Sequence, residues 1–139
     1  LAHFIQFGTD TTKHLGAGER GGVVNSYFSA FGHLPISEAD WMDVIKIANG
    51  RWPTARNTNL ENKNKSEVFK KIYKREANMA DAKDNAAVTI ITYGLRPLNR
   101  NMNSEANAIK HFKGIFGSNP SSATDWDIVI AISYSGATR

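Results

Sequence analysis

The sequence predicts an all-α fold of three helix-loop-helix units, each of about 42 residues, packed as a helical bundle or a short solenoid. The first observation is a pair of aromatic residues four positions apart that occurs three times: Tyr27/Phe31, Phe69/Tyr73 and Phe112/Phe116. This spacing puts both rings on one face of a helix and does not match a strand. The second observation is a recurring order of Gly, Pro, Ser, Asp and Trp before an apolar run, with 85 residues between Trp41 and Trp126.

The units are predicted to cover about 18–56, 60–100 and 104–139 of one helical domain, 1–139. The middle unit lacks the Gly and Pro of the others and has Asn85 where they have Trp. Residues 1–8 resemble the ends of the later units, so we expect them to be the tail of a preceding helix. The chain is then either part of a longer repetitive protein or a closed ring of helices in which the first piece completes the last.

Each unit is predicted to contain two helices. The first helices lie at about 18–32, 60–76 and 104–117, and the second at about 38–50, 82–94 and 123–135. Three pairs of residues have the capping-box spacing at the starts of the second helices: Ser37/Asp40, Asp81/Asp84 and Ser122/Asp125. Such a cap contributes about 1 kcal/mol to stability. Gly50 and Gly94 are typical of the residue that ends a helix.

The connections between units share the pattern P-x-x-R-N-x-N-x-E, at 53–61 and again at 97–105. Its Arg and Glu, at Arg56/Glu61 and Arg100/Glu105, could form an ion pair between helices or present a guanidinium fork to carboxylates or sugars. We favour the structural ion pair, because a pattern that recurs in the units is expected to have a role that does not depend on which unit binds a ligand. The first connection keeps only the Glu, at Glu19, and has His14 in place of the Arg.

The composition is that of an ordinary globular domain. A chain of 139 residues can bury a substantial core. The net charge of +4 and the isoelectric point near 9.4 permit an anionic partner without requiring one. The absence of cysteine excludes disulfides, thiolate zinc sites and thiol nucleophiles.

No pattern in the chain is typical of catalysis or of a metal site. The four histidines lack metal-binding spacing, and Asp40, Asp84 and Asp125 occur once per unit at positions that favour helix capping. The glycines of 16–22 resemble a phosphate loop, but no strand precedes them and no G-K-[ST] follows. We therefore expect a non-enzymatic protein with no cofactor and no metal. An enzyme would need three convergent polar groups in one pocket.

The candidate ligand-binding residues are two tryptophans, Trp41 and Trp126, and two arginines, Arg56 and Arg100. Each indole could be a stacking platform for a sugar ring or base, or a core anchor between the two helices of a unit. Equivalent positions in repeated units favour the same packing role, so we favour the core interpretation.

A run of basic residues offers an alternative, nucleic-acid-binding interpretation. It consists of Lys63, Lys65, Lys70, Lys71, Lys74 and Arg75, of which we take Lys63, Lys70, Lys71, Lys74 and Arg75 as the candidate phosphate contacts. Apolar residues at core spacing and two glutamates interrupt the run, which favours a solvated helix face.

The pattern aromatic-x-x-x-F-G-x-x-P-x-x-x-x-D-W, followed by an apolar helix and then Gly or Gly-x-x-R, occurs in 112–139 and less completely in 27–51. It resembles the phycobilisome-linker-like domain of unknown function found in bacterial S-layer and secreted surface proteins. The chain is also similar to an uncharacterised C-terminal helical domain of exported proteins from uncultured small-genome bacteria. These resemblances imply an extracellular or cell-surface protein. They also imply partners such as other surface proteins, copies of itself or envelope glycan, in attachment or assembly.

Overall fold

The computed structural model describes residues 1–139 and is all-α, which confirms the predicted fold class. Helices occupy Ala2–Phe7 (α1), Ala17–Phe31 (α2), Glu38–Ala48 (α3), Thr58–Lys63 (α4), Phe69–Tyr73 (α5), Ala82–Tyr93 (α6), Met102–Phe116 (α7) and Ala123–Tyr134 (α8). A π-helical segment, Asn64–Val68, joins α4 to α5 in one continuous helix. The six helices expected for the three units are present within a few residues of their predicted bounds. That the units are structural repeats stays a prediction.

The starts of the second helices follow the capping rule that the sequence indicates. Ser37 and Ser122 each accept a hydrogen bond from the amide three residues later, and each partner Asp accepts from the cap residue's own amide. Asp81 also caps α6 with its side chain, but Asp84 does not complete a box there. Its carboxylate instead accepts from the Asn78 amide at 2.9 Å and pairs with Arg75 at 2.6 Å.

The π-helical segment compensates for unequal spacing in two of the first helices. Eight residues lead from Glu61 to Phe69, whereas seven lead from Glu105 to Phe112. An extra residue in an α-helix would turn the following side chains by about 100°, and a π-turn takes up one residue without that rotation. Consequently both glutamates bond to a tyrosine and both aromatic rings are fully buried.

The apolar core is divided into two clusters. One gathers the buried faces of α5 to α8, including Phe69 and Phe112. The other lies among α1, α2, α3 and the end of α6, around Tyr27, Ile47 and Tyr93. The three predicted aromatic pairs are in contact, with ring centroids 4.5 to 4.7 Å apart.

Helix α2 packs against α8, so the first and last helix pairs are in contact and the helices form a closed bundle. Helix α1 packs against α2, with Phe4 in the second cluster, rather than completing the last pair. No helix is both long enough and apolar enough to cross a membrane.

Candidate functional site

A buried polar network lies where the two apolar clusters meet. Its centre is Arg96, 3% exposed, which follows the end of α6. The guanidinium donates to Asp127 of α8 at 3.0 Å and to Glu19 of α2 at 3.1 Å. Ser26 of α2 donates to the same Asp127 oxygen at 3.0 Å. We call Ser26, Arg96, Asp127 and Glu19 the Arg96 network; it connects α2, α6 and α8.

Two glycines allow the helices to approach closely enough for this network to form. Gly94 ends α6 with φ +76°, and a Cβ there would lie 2.6 Å from Ser26 and 2.8 Å from Asp127. A Cβ at Gly22 would lie 3.0 Å from the Arg96 guanidinium. Gly94 therefore requires glycine for space and for its backbone angle, whereas a Cβ at Gly22 would require the Arg96 guanidinium to move by a few tenths of an ångström.

The Asp127 carboxyl group is the most strongly buried acid of the site. Burial raises its pKa to about 6, against the opposing influence of Arg96 and Ser26. A carboxylate costs more free energy to bury than a carboxylic acid, and one guanidinium shared with Glu19 compensates only part of that cost.

The repeated connection motif forms two matching clusters. Arg56 makes a two-pronged ion pair with Glu61 at 2.7 and 2.6 Å, and the Tyr93 hydroxyl also donates to Glu61. The Tyr93 hydroxyl in turn accepts from the Asn57 amide at 2.8 Å. The Asn57 side chain caps α4 by accepting from the Leu60 amide.

The second cluster repeats these contacts with Arg100, Asn101, Glu105 and Tyr134. The Arg100 guanidinium, countering the cost of burial, holds the pKa of Glu105 below its usual range, and Tyr134 reinforces this. The structural ion pair expected for Arg56 and Arg100 is present, but each pair joins a connection to the helix that follows it rather than two helices. In both clusters a tyrosine at the end of the second helix completes the contacts.

The first connection has neither the Arg nor the Tyr, and its Glu19 contacts other partners. Glu19 accepts from Arg96 at 3.1 Å and lies 3.4 Å from Arg100. It therefore links the start of α2 to the connection before α7. Where the sequence has His14 in place of the motif's Arg, the Glu of the same connection forms its contacts across the bundle.

An open groove of about 540 Å³ lies above the Arg96 network, between α2, α7 and the start of α8. We call it the Trp126 groove. Trp126, 44% exposed, and Met102, 68% exposed, give it an apolar surface. Asn25, Ser121 and Glu19 add polar groups. The positive charge of Arg100 is balanced there by Glu19 and Glu105.

The structure brings Trp126 and Arg100 into one groove but places Trp41 and Arg56 elsewhere. Trp41 is half-buried against the second cluster, with its ring centroid 5.4 Å from that of Phe4. Arg56 lies 4.0 Å above the ring of Trp52, a tryptophan that the sequence patterns did not single out. The two tryptophans at matching positions therefore have different surroundings, because Phe4 of α1 packs on Trp41 whereas Trp126 is exposed. The core role that we favoured for both tryptophans is wrong for Trp126.

The basic run is partly engaged within the molecule. Arg75 pairs with Asp84 and donates to the Thr138 carbonyl at 2.8 Å. Lys71 lies 4.9 Å from the Phe116 ring. Lys63, Lys70 and Lys74 are exposed.

Four charged side chains, Glu19, Arg96, Arg100 and Glu105, line the Trp126 groove. They use their hydrogen-bonding groups mainly on one another, on Asp127 and on Tyr134. No group of three or more His, Cys, Asp or Glu side chains is placed to hold a metal ion.

Sequence patterns missed Arg96 and Asp127, the two charged residues buried at the centre of the bundle. Arg96 follows Gly94 in a connection, and Asp127 follows Trp126 in an otherwise apolar helix. An acid inside the run W-D-I-V-I-A-I is the one signal that could have drawn attention, since a buried charge requires a partner. Comparisons of the chain with models of protein families, with curated proteins and with solved structures find no match.

Proposed function

We propose that this chain is a non-enzymatic binding module of a bacterial surface protein, and that it acts in attachment or assembly by engaging envelope glycan or a protein partner through the Trp126 groove. The observation that carries the proposal is the half-exposed Trp126 beside a concave, charge-balanced surface. An exposed indole next to hydrogen-bonding groups suits the apolar face and hydroxyl edge of a sugar ring.

The electrostatics of the groove support an uncharged ligand. Both guanidinium groups nearby, Arg96 and Arg100, are paired with carboxylates inside the molecule. An anionic ligand would have to compete with these pairs, whereas a neutral glycan would need only the indole face and groups such as Asn25 and Ser121.

The test is sedimentation of the chain with isolated bacterial envelopes, for the wild type and for Trp126→Ala and Trp41→Ala. We expect Trp126→Ala to stay folded and lose retention at both low and high salt, because its indole is half-exposed. Trp41→Ala should lower the melting temperature, since Trp41 packs against Phe4. Circular dichroism supplies the fold control, and retention of Trp126→Ala equal to that of the wild type would contradict the proposal.

A titration of the chain with a nucleic-acid duplex at low and high salt tests the nucleic-acid alternative. Binding through Lys70 and Lys74 would fall steeply with salt and would weaken in the variant Lys70→Glu with Lys74→Glu. Salt-sensitive binding that survives Trp126→Ala would favour that alternative over the Trp126 groove.

A further inference from the structure

The guanidinium group of Arg96 leaves one nitrogen unused beside the Trp126 groove. Arg56 and Arg100 each contact a glutamate with both Nε and Nη2, the usual two-pronged arrangement. Arg96 donates to Glu19 through Nε alone, at 3.1 Å. Its Nη1 donates elsewhere in the network, and its Nη2 makes no hydrogen bond within the protein. The Nη2 group is therefore a hydrogen-bond donor without an acceptor.

This free nitrogen lies at the wall of the Trp126 groove. A Cβ at Gly22 would lie 3.0 Å from Nη2, and both Gly22 and Arg96 line the groove. The Tyr73 hydroxyl is the one fully enclosed side-chain polar atom of the protein that lacks a partner. Arg96 Nη2 also lacks a partner and so is not fully enclosed, although only 3% of the side chain is exposed. A ligand in the groove can therefore reach it.

Glu19 supplies a free acceptor next to this donor. Its Oε2 accepts from Arg96 and lies 3.4 Å from Arg100, whereas its Oε1 makes no hydrogen bond or ion pair. The Glu19 side chain is 37% exposed and lines the same groove. One wall of the groove thus presents a group that only donates, the Arg96 Nη2, and a group that only accepts, the Glu19 carboxylate.

Helix α2 leaves space beside these two groups. Gly18 and Gly22 are four positions apart and both line the groove, so this face of α2 carries no side chain at either position. A Cβ at Gly18 would meet no atom within 4 Å, so the packing of the protein does not require glycine there. Glycine is also one of the least favourable residues in a helix. The missing side chain at Gly18 leaves room for a small substituent of a ligand.

We propose that the Trp126 groove binds a neutral sugar that carries an acetamido group. The sugar ring lies on the Trp126 indole, the acetamido oxygen accepts from Arg96 Nη2, and an adjacent ring hydroxyl donates to Glu19. The acetamido methyl group occupies the space at Gly18, which a plain hydroxyl would leave empty. This inference rests on the proposed function, because it names the class of ligand for the same groove.

The test is an NMR titration of the chain with N-acetylglucosamine, using glucose as the matched sugar without the acetamido group. We expect a saturable shift of the Trp126 indole N–H signal with N-acetylglucosamine. Glucose should bind about tenfold more weakly, because it lacks the carbonyl that accepts from the charged Arg96.

Two glycine variants form a matched pair for this titration. Gly18→Ala and Gly114→Ala each add a methyl group to a helix where it meets no neighbouring atom, so neither should lower the melting temperature. Of the two glycines, only Gly18 lines the groove. Gly18→Ala should therefore weaken N-acetylglucosamine binding about tenfold, and Gly114→Ala should leave it unchanged. Unchanged affinity in Gly18→Ala, or equal binding of the two sugars, would overturn the proposal.

Sedimentation with envelopes separates a failure of this proposal from a failure of the function on which it rests. If N-acetylglucosamine does not bind but envelope retention still depends on Trp126, the acetamido assignment is overturned and the proposed function stands. If neither binding nor retention is observed, both are overturned.

Discussion

Single side chains at the centre of this bundle are charged although they are buried. Arg96 and Asp127 are each 3% exposed or less and lie 3.0 Å apart. Burying two charges in contact is often no more stabilising than burying two apolar side chains, whereas removing one partner is costly. The behaviour of Asp127 is therefore expected to depend on its protonation.

Asp127→Asn should change the pH dependence of stability in a defined direction. The pKa of Asp127 is raised from its ordinary value near 3.8 to about 6. The native state therefore binds this proton more tightly, and the stabilisation is fully present below about pH 4 and lost as the pH rises through about 6. Relative to the variant, the wild type should gain about 2 kcal/mol between pH 7.5 and 4.5.

Urea unfolding of both proteins at several pH values measures this difference. Acids whose pKa is lowered, such as Glu61 and Glu105, make both proteins less stable as the pH falls. Their effect cancels in the comparison. A wild type that loses stability relative to Asp127→Asn on acidification would show that Arg96 lowers the pKa of Asp127 instead.

Residue patterns predicted the local contacts of this protein and missed the distant ones. Arg100 and Glu105 are five positions apart, so their ion pair could be expected from the sequence. Ser26 and Asp127 are 101 positions apart, and no spacing rule connects them. Trp126 and Arg100 could each be identified as candidates from local motifs. The groove that they share could not be predicted, because it depends on contacts between distant parts of the chain.

At the scale of helices, the boundaries follow from capping residues and glycines that sequence rules recognise. Ser37, Asp81 and Ser122 begin second helices as expected. The π-helical segment Asn64–Val68 was not predicted. The sequence shows one extra residue between the connection motif and the aromatic pair, but it does not show that a π-turn accommodates that residue.

The glycines that end α6 and α7 offer a matched pair of substitutions. Gly94 and Gly117 both have left-handed backbone angles, with φ +76° and +82°. A Cβ at Gly117 meets open space, so Gly117→Ala should cost about 1 kcal/mol for the backbone angle alone. Gly94→Ala should cost about 2–4 kcal/mol, because its Cβ would also collide with Ser26 and Asp127.

Denaturant unfolding of the two variants measures the comparison directly. Gly117→Ala serves as the control for the backbone term, since the two residues play the same part at a helix end. Equal destabilisation by both substitutions would mean that α2 and α8 can move apart around Gly94 without a loss of stability.

At the scale of the whole molecule, the contact between α2 and α8 decides between the two architectures that the sequence left open. The bundle is closed, and the Arg96 network spans the boundary between its two apolar clusters. The sequence could not predict closure, because an open solenoid and a closed bundle require the same helix lengths and the same capping residues.

Removing one side of the buried pair should be more damaging than removing both. Arg96→Met leaves Asp127 without its guanidinium partner and should destabilise the protein by about 3–5 kcal/mol at neutral pH. The double variant Arg96→Met with Asp127→Leu should recover most of that loss, since neither charge remains buried. Urea unfolding at neutral pH provides the measurement, and additive losses in the double variant would contradict this account.

The separation of Ser26 and Asp127 along the chain also has a consequence for the order of folding. Each helix pair can form from nearby residues, whereas this hydrogen bond must close a segment of about 100 residues. We therefore expect the boundary between the clusters to assemble after the transition state. Stopped-flow measurements on the Arg96→Met variant should then show faster unfolding with little change in the folding rate. The Arg96 network would thus mainly slow the unfolding of the native protein and contribute little to its folding rate.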